Sequence, residues 1–262
     1  MRPGLRSTRG RAAWALVGLV AAACGTQDGK GVDNSEPAEV IRAAGDALGQ
    51  ARSFRVEGSY RDSDGTFTYR STVSRRGEAT VTDVVSGGRR GRFESRTIGN
   101  RVYVQGRLFW ELYYGDSPTV PAEVGDGWGV LTFDAPTAPA STPFGRGRCL
   151  VAGYPRDSLR PGGPGQVGDR RGVVVIDTGG RPGSWPSRLV VAGKGTPYPL
   201  AEEQTGPQTL GGGDSPTCPG GSESDGSTRD SRTRWSGFND RVAPLQIPAA
   251  AVDVNALLAR PG

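Results

Sequence analysis

Histidine is absent from the 262 residues. That excludes Ser-His-Asp and Cys-His catalysis, the usual zinc sites and pH switching through an imidazole. Met1 is the sole methionine, lysine occurs only as Lys30 and Lys194, and cysteine only as Cys24, Cys149 and Cys218. The uncharged stretch Ala12 to Ala23 holds 12 residues, too few for a bilayer span of about 20. Glycine and proline, by contrast, are plentiful at 42 and 20 residues, so the chain is expected to have many turns and few long helices.

The N-terminus carries the most specific signal. Arg2, Arg6, Arg9 and Arg11 stand with no acidic residue among them, and Leu16-Val17-Gly18-Leu19-Val20-Ala21-Ala22-Ala23-Cys24 follows. A basic start, a short apolar run and small residues before a cut make a secretory signal. With Cys24 directly after the cut, the pattern resembles a bacterial lipobox, although Ala21 stands where leucine is usual. That chemistry attaches a diacylglycerol to the Cys24 sulfur, and palmitate is expected among its acyl chains. The alternative is a plain signal peptide cut after Ala21-Ala22-Ala23, leaving a free Cys24. Loss of the four arginines leaves 28 basic against 27 acidic residues. The sequence pI near 9.4 therefore gives no footprint for nucleic acid, and none is expected as a partner.

If Cys24 is acylated, Cys149 and Cys218 remain as a pair in an oxidising compartment. A disulfide is the default there, closing a long loop and adding about 3–5 kcal/mol in the chain-entropy model. Two separate buried thiols are the alternative.

Residues 24–35 are small and polar and read as a flexible tether reaching about 40 Å when extended. A helix follows, with Ser35 as N-cap, Pro37 in the first turn, and Val40, Ile41, Ala44, Ala47, Leu48 and Ala51 on one narrow face. From Ser53 the period becomes two. Phe54, Val56, Gly58 and Tyr60 alternate with Arg55, Glu57, Ser59 and Arg61, and Phe67, Tyr69, Ser71 and Val73 alternate after a turn at 62–65. Further strands are expected at 78–85, 92–98, 101–105, 149–153, 171–177, 188–193, 198–204 and 231–239. Leu108-Phe109-Trp110 and Trp128-Gly129-Val130-Leu131 are aromatic stretches. Residues 134–148, 155–168 and 211–230 read as irregular, and Leu245 to Val254 as a last short strand and turn. An antiparallel sheet of eight to eleven strands must curl or split, and one short helix cannot cover its apolar face.

Other motifs carry less. Gly163-Pro164-Gly165-Gln166-Val167-Gly168 spells G-x-G-x-x-G, but without a strand before it and a helix after it no dinucleotide site is expected. Asp62 and Asp64 lack the glutamate of a calcium loop and read as a turn. Pro197-Tyr198-Pro199 reads as a rigid edge turn. No pair of carboxylates stands out as a catalytic dyad, so neither an enzyme nor a cofactor is expected.

Several motifs, in order, do resemble a known family. They are Ser53-Phe54-Arg55-Val56-Glu57-Gly58, Ile98-Gly99 with Val102-Tyr103-Val104 and Phe109-Trp110, Gly127-Trp128, Gly195-Thr196-Pro197-Tyr198-Pro199-Leu200, and Trp235 to Phe238 with Leu245 to Pro248 and Val252-Asp253. The set resembles the LppX/LprG-type, LolA-like lipoproteins of actinobacteria. The resemblance implies an α+β, mainly antiparallel fold: a strongly curved half-barrel sheet with one or a few covering helices. It also implies a monomer anchored through Cys24 to the outer face of the cell membrane. Such a protein binds or carries an acylated lipid or lipoglycan, with Phe54, Val56, Phe67, Tyr69 and Val73 on the cavity face. The alternative for those five is ordinary core packing, in a tethered module that binds another envelope protein. The expected organisation is a signal peptide over 1–23, the tether over 24–35, one domain over 36–254 and a tail over 255–262.

Overall fold

The computed structural model of the chain describes residues 32–62, 65–133, 156–180, 184–207, 209 and 230–260. Cys24, Cys149 and Cys218, the strand expected at 149–153 and the irregular stretch 134–148 lie outside the described residues.

Alternation builds one twelve-stranded sheet. Its strands are β1 (Ser53–Asp62), β2 (Gly65–Ser74), β3 (Gly77–Ser86), β4 (Arg89–Ile98), β5 (Arg101–Gln105), β6 (Trp128–Thr132), β7 (Leu159–Val167), β8 (Arg170–Asp177), β9 (Ser187–Ala192), β10 (Pro199–Gln204), β11 (Asp230–Ser236) and β12 (Val252–Asp253). The spatial order is β12-β6-β5-β4-β3-β2-β1-β11-β10-β9-β8-β7. Every pairing is antiparallel except β12 on β6. The sheet is therefore two meanders joined where β1 meets β11, with Val56 opposite Trp235 and Gly58 opposite Thr233. It is open, because its end strands β12 and β7 do not pair.

Among the described residues four α-helices accompany it: α1 (Pro37–Gln50), α2 (Arg107–Tyr113), α3 (Thr119–Val124) and α4 (Val254–Leu258). Helix α1 starts with Pro37, whose fixed φ suits the first turn. Its N-cap is Glu36 rather than Ser35, and no side chain caps it. At the other end Arg75 donates from Nη2 to the carbonyls of Gly49 and Gln50 at 3.2 and 3.1 Å, a cation where the helix dipole is negative. In α4, Asp253 caps by accepting from the Ala256 amide at 3.1 Å. Leu257, inside the expected tail, is buried in α4.

The structure departs from the sequence reading at three further places. Residues 159–167 form edge strand β7 rather than a loop. Its Pro161 and Pro164 are tolerated at an edge, and a bulge between Pro161 and Gly163 bends it. A Cβ on Gly162 or Gly165 would collide with the Val174 side chain, so these glycines let β7 close over Val174 and Val190 on the outer face. Leu108-Phe109-Trp110 lies in the short helix α2. Residues 245–248 form no strand; they run across the outer face, where the Arg96 Nη1 donates to the Gln246 carbonyl at 2.6 Å.

The seam between the meanders is cross-braced. Gly58, Tyr69 and Thr233 lie in one row on three adjacent strands. The Tyr69 hydroxyl reaches over β1 and hydrogen-bonds Thr233 Oγ1 at 2.9 Å. A Cβ on Gly58 would stand 2.5 Å from both the Tyr69 hydroxyl and the Arg232 carbonyl, so the brace requires glycine there. Gly58→Val is expected to destabilise the fold by about 1–3 kcal/mol through overpacking. Tyr69→Phe removes only the hydrogen bond and should cost about 1 kcal/mol. Urea unfolding of both variants checks the order; a Gly58→Val protein as stable as the parent contradicts the brace.

Candidate ligand-binding face

Residues opposite one another in register share a face of the sheet. The inner face therefore carries Phe54, Val73, Glu78, Thr97, Val102 and Leu131 in one row, and Val56, Ser71, Thr80, Ser95, Val104 and Gly129 in the next. Both rows are apolar at their ends and polar in the middle.

Helix α1 covers one apolar end. Val40, Ile41 and Ala44 pack on Leu159, Val175, Leu189 and Val191 of β7–β9. Leu48 and Ala51 pack on Phe54, Val56 and Val73. Trp235 of β11 packs against both groups and links them.

Helices α2, α3 and α4 cover the other end. Trp110 is fully buried among Val104, Val120, Val124, Val254 and Leu257. Its Cζ2 lies 2.5 Å from where a Cβ on Gly129 would be, so the glycine after Trp128 makes room for this ring. The buried Trp110 Nε1–H has no hydrogen-bond partner among the described residues. Phe109 packs edge-on to Trp110 at 4.8 Å, and burial pushes the Tyr114 phenol above its usual pKa.

Between these ends the inner face is hydroxyl-rich. Ser71 Oγ and Thr80 Oγ1 are 2.7 Å apart, and Thr80 donates to Glu78 Oε1 at 2.9 Å. Glu78, Ser71 and Thr82 are buried. Carboxylate and hydroxyls thus form a connected polar strip on β2 and β3, as burial of such groups requires. The sequence reading passed over this strip; the signal available was polar residues at the inward positions 71, 78, 80 and 82.

All five residues expected on the cavity face lie on this inner face. Phe54, Val56 and Val73 are buried beneath α1, with Tyr69 at the margin of the same group. Phe67 is separate, packed with Val84 and Leu108 of α2, and its ring stacks on Tyr60 at 4.6 Å. Three motifs distant in sequence meet at the α1 corner. Tyr198, from the Pro-Tyr-Pro turn, stacks on Phe238 at 3.9 Å with ring planes 5° apart, and Phe238 lies 6.1 Å from Phe54. Asn239 fastens them. Its side chain accepts from the Arg52 amide at 2.8 Å and donates to the Tyr198 hydroxyl at 2.9 Å, and its own amide donates to the Ser53 carbonyl at 2.8 Å. It does so at φ 64°, a left-handed conformation that asparagine tolerates better than most side chains. Gly163 to Gly168 lie on β7 and its turn into β8, so no strand–loop–helix phosphate cradle exists there. Among the described residues no cluster of three or more acids or cysteines could hold a metal ion, and no helix is long and apolar enough to cross a membrane.

No protein-family model and no curated protein matches the chain. Solved structures do. The lipoprotein LppX of Mycobacterium tuberculosis is similar with a TM-score of 0.46 at 12% identity, over 79% of this chain and 97% of that one. LprF of Mycobacterium bovis is similar with a TM-score of 0.44 at 11% identity, over 85% and 100%. MucB of Pseudomonas aeruginosa, in its complex with MucA, gives a TM-score of 0.38 at 16% identity, over 86% of this chain and 62% of that one.

Asn239→Ala is expected to cost about 1–3 kcal/mol, since it removes the hydrogen bonds to the Arg52 amide and the Tyr198 hydroxyl and puts alanine in a left-handed conformation. Asn239→Gly relieves only the backbone and should recover part of that loss. Thermal unfolding of the pair separates the two contributions; equal losses would contradict the conformational share.

Proposed function

We propose that this protein is an exported lipoprotein, held at the outer face of the cell membrane by a lipid on Cys24, that binds an acylated lipid or lipoglycan on the inner face of its curved sheet. The observation that carries the reading is the chemistry of that face: two apolar ends under separate helices, with the polar strip Ser71–Thr80–Glu78 between them. An amphiphile needs both surfaces. Each CH₂ moved out of water contributes about 0.8 kcal/mol, so an acyl chain requires a dry concave surface and no catalytic group. A hydroxylated headgroup requires donors and acceptors such as the strip provides. In this reading Cys149 and Cys218 form a disulfide, the protein is a monomer, and its role is binding rather than catalysis.

A second reading is supported by burial. Phe54, Phe67 and Val73 are 2%, 1% and 1% exposed, so these positions are filled by the chain's own helices. That favours a tethered envelope module with a solid core, which takes a protein partner on its surface instead of a lipid within.

Native mass spectrometry of the chain from Gly25 onward, purified from a lipid-containing host, separates the readings. Lipid-binding predicts co-purifying acylated ligand that is exchanged when diacyl lipid is offered. A protein that stays lipid-free under both conditions sinks it and leaves the solid-core reading.

A further inference from the structure

We infer that a cationic groove at the β7 edge of the sheet binds the phosphate of anionic phospholipid headgroups and turns this pole of the molecule toward the bilayer. This rests on the proposed anchoring at Cys24. The groove has a volume of about 800 Å³ and is lined by Arg171 of β8, Arg188 of β9 and Lys194 just beyond β9, with Asp33 as its one acid among the described residues. The three cationic side chains are exposed, and none forms an ion pair or hydrogen bond among the described residues. The Gly193 amide donates to the Arg171 carbonyl at 3.3 Å, which brings Arg171 and Lys194 to one end of the groove; these two cations against the Asp33 carboxylate leave an excess of positive charge, which a phosphate diester neutralises. Arginine matches phosphate oxygens in a bidentate fork, and lysine acts as a point charge. Gly163, Gly165, Gly172 and Gly193 also line the groove. They contribute no side chain, so a headgroup has room to approach the backbone.

Position selects the source of the phosphate. Asp33 and Ser35, at the start of the described chain, line the groove, and the Asp33 carboxylate lies against Gly193. Cys24 is nine residues before Asp33, so an anchored chain holds the groove within about 30 Å of the lipid. Attraction to an anionic leaflet fades within a Debye length of about 10 Å; a tether of at most about 30 Å keeps the groove near the bilayer and lets it enter that layer. The chain after the signal is close to neutral overall, which removes general attraction as the cause.

The test is co-sedimentation of the chain from Gly25 onward, which keeps every described residue, with phosphatidylcholine vesicles that contain or lack phosphatidylglycerol. Because no anchor is present, failure of the groove and failure of lipidation at Cys24 are separate results. The expected result is salt-sensitive binding to the phosphatidylglycerol vesicles alone. Arg171→Ala and Lys194→Ala should each weaken it about fivefold, at roughly 1 kcal/mol per cation near a membrane. Arg101→Ala, an equal loss of charge on β5, should leave it unchanged. Equal binding to neutral vesicles, or equal weakening by all three substitutions, overturns the proposal. Full competition by soluble glycerol 3-phosphate overturns its membrane source and assigns the groove to a free anion.

Discussion

Everything in this fold depends on the pairing of β1 with β11. The two strands lie at opposite ends of the described sequence, and their ladder turns two meanders into one sheet. Without it, α1 would have no common floor, because its N-terminal half rests on the second meander and its C-terminal half on the first. Trp235 lies at the contact between those halves. The Tyr69–Thr233 bond crosses the seam where Gly58 has no side chain, and Asn239 ties the end of β11 back to the start of β1. Such a non-local contact is costly in loop entropy, which accounts for this concentration of polar fastening.

From the seam the rest follows. A twisted sheet of twelve strands does not stay flat, and the four helices among the described residues pack at two ends of its inner face. The polar strip of β2 and β3 lies between those ends. The outer face is closed differently: β7 folds over Val174 and Val190 through its glycines, and the 240–248 segment runs across β1–β4. One face is thus committed to structure, and the other carries apolar groups at both ends with the hydrogen-bonded Ser71–Thr80–Glu78 strip between them.

Much of this was legible in the sequence. The period of two in Phe54–Tyr60 and Phe67–Val73 gave strands and faces, and the 3.6 period of Val40–Leu48 gave α1. The mainly antiparallel, strongly curved fold class implied by the family resemblance agrees with the open sheet. Strand β7 was hidden because its glycines and prolines serve curvature and edge protection, the same composition a loop uses. Helix α2 was hidden because seven residues are too short for a helical period. The residues at 245–248 have the composition of a strand but no ladder to join. In the candidate site, the apolar inward positions could be read directly. The Ser71–Thr80–Glu78 strip was missed because polar residues at inward positions gain meaning only once cross-strand register is known. The partnership of Tyr198 with Phe238 also depends on tertiary contact alone.

The most direct test of the central claim is a crystal structure of the chain from Gly25 onward, grown with a diacyl lipid. The account predicts acyl density on the inner face of β2–β4, between the α1 group and the α2–α3–α4 group, with the polar headgroup on Ser71, Glu78 and Thr80. An inner face filled throughout by the protein's own side chains, with no continuous apolar space for the lipid, would contradict it.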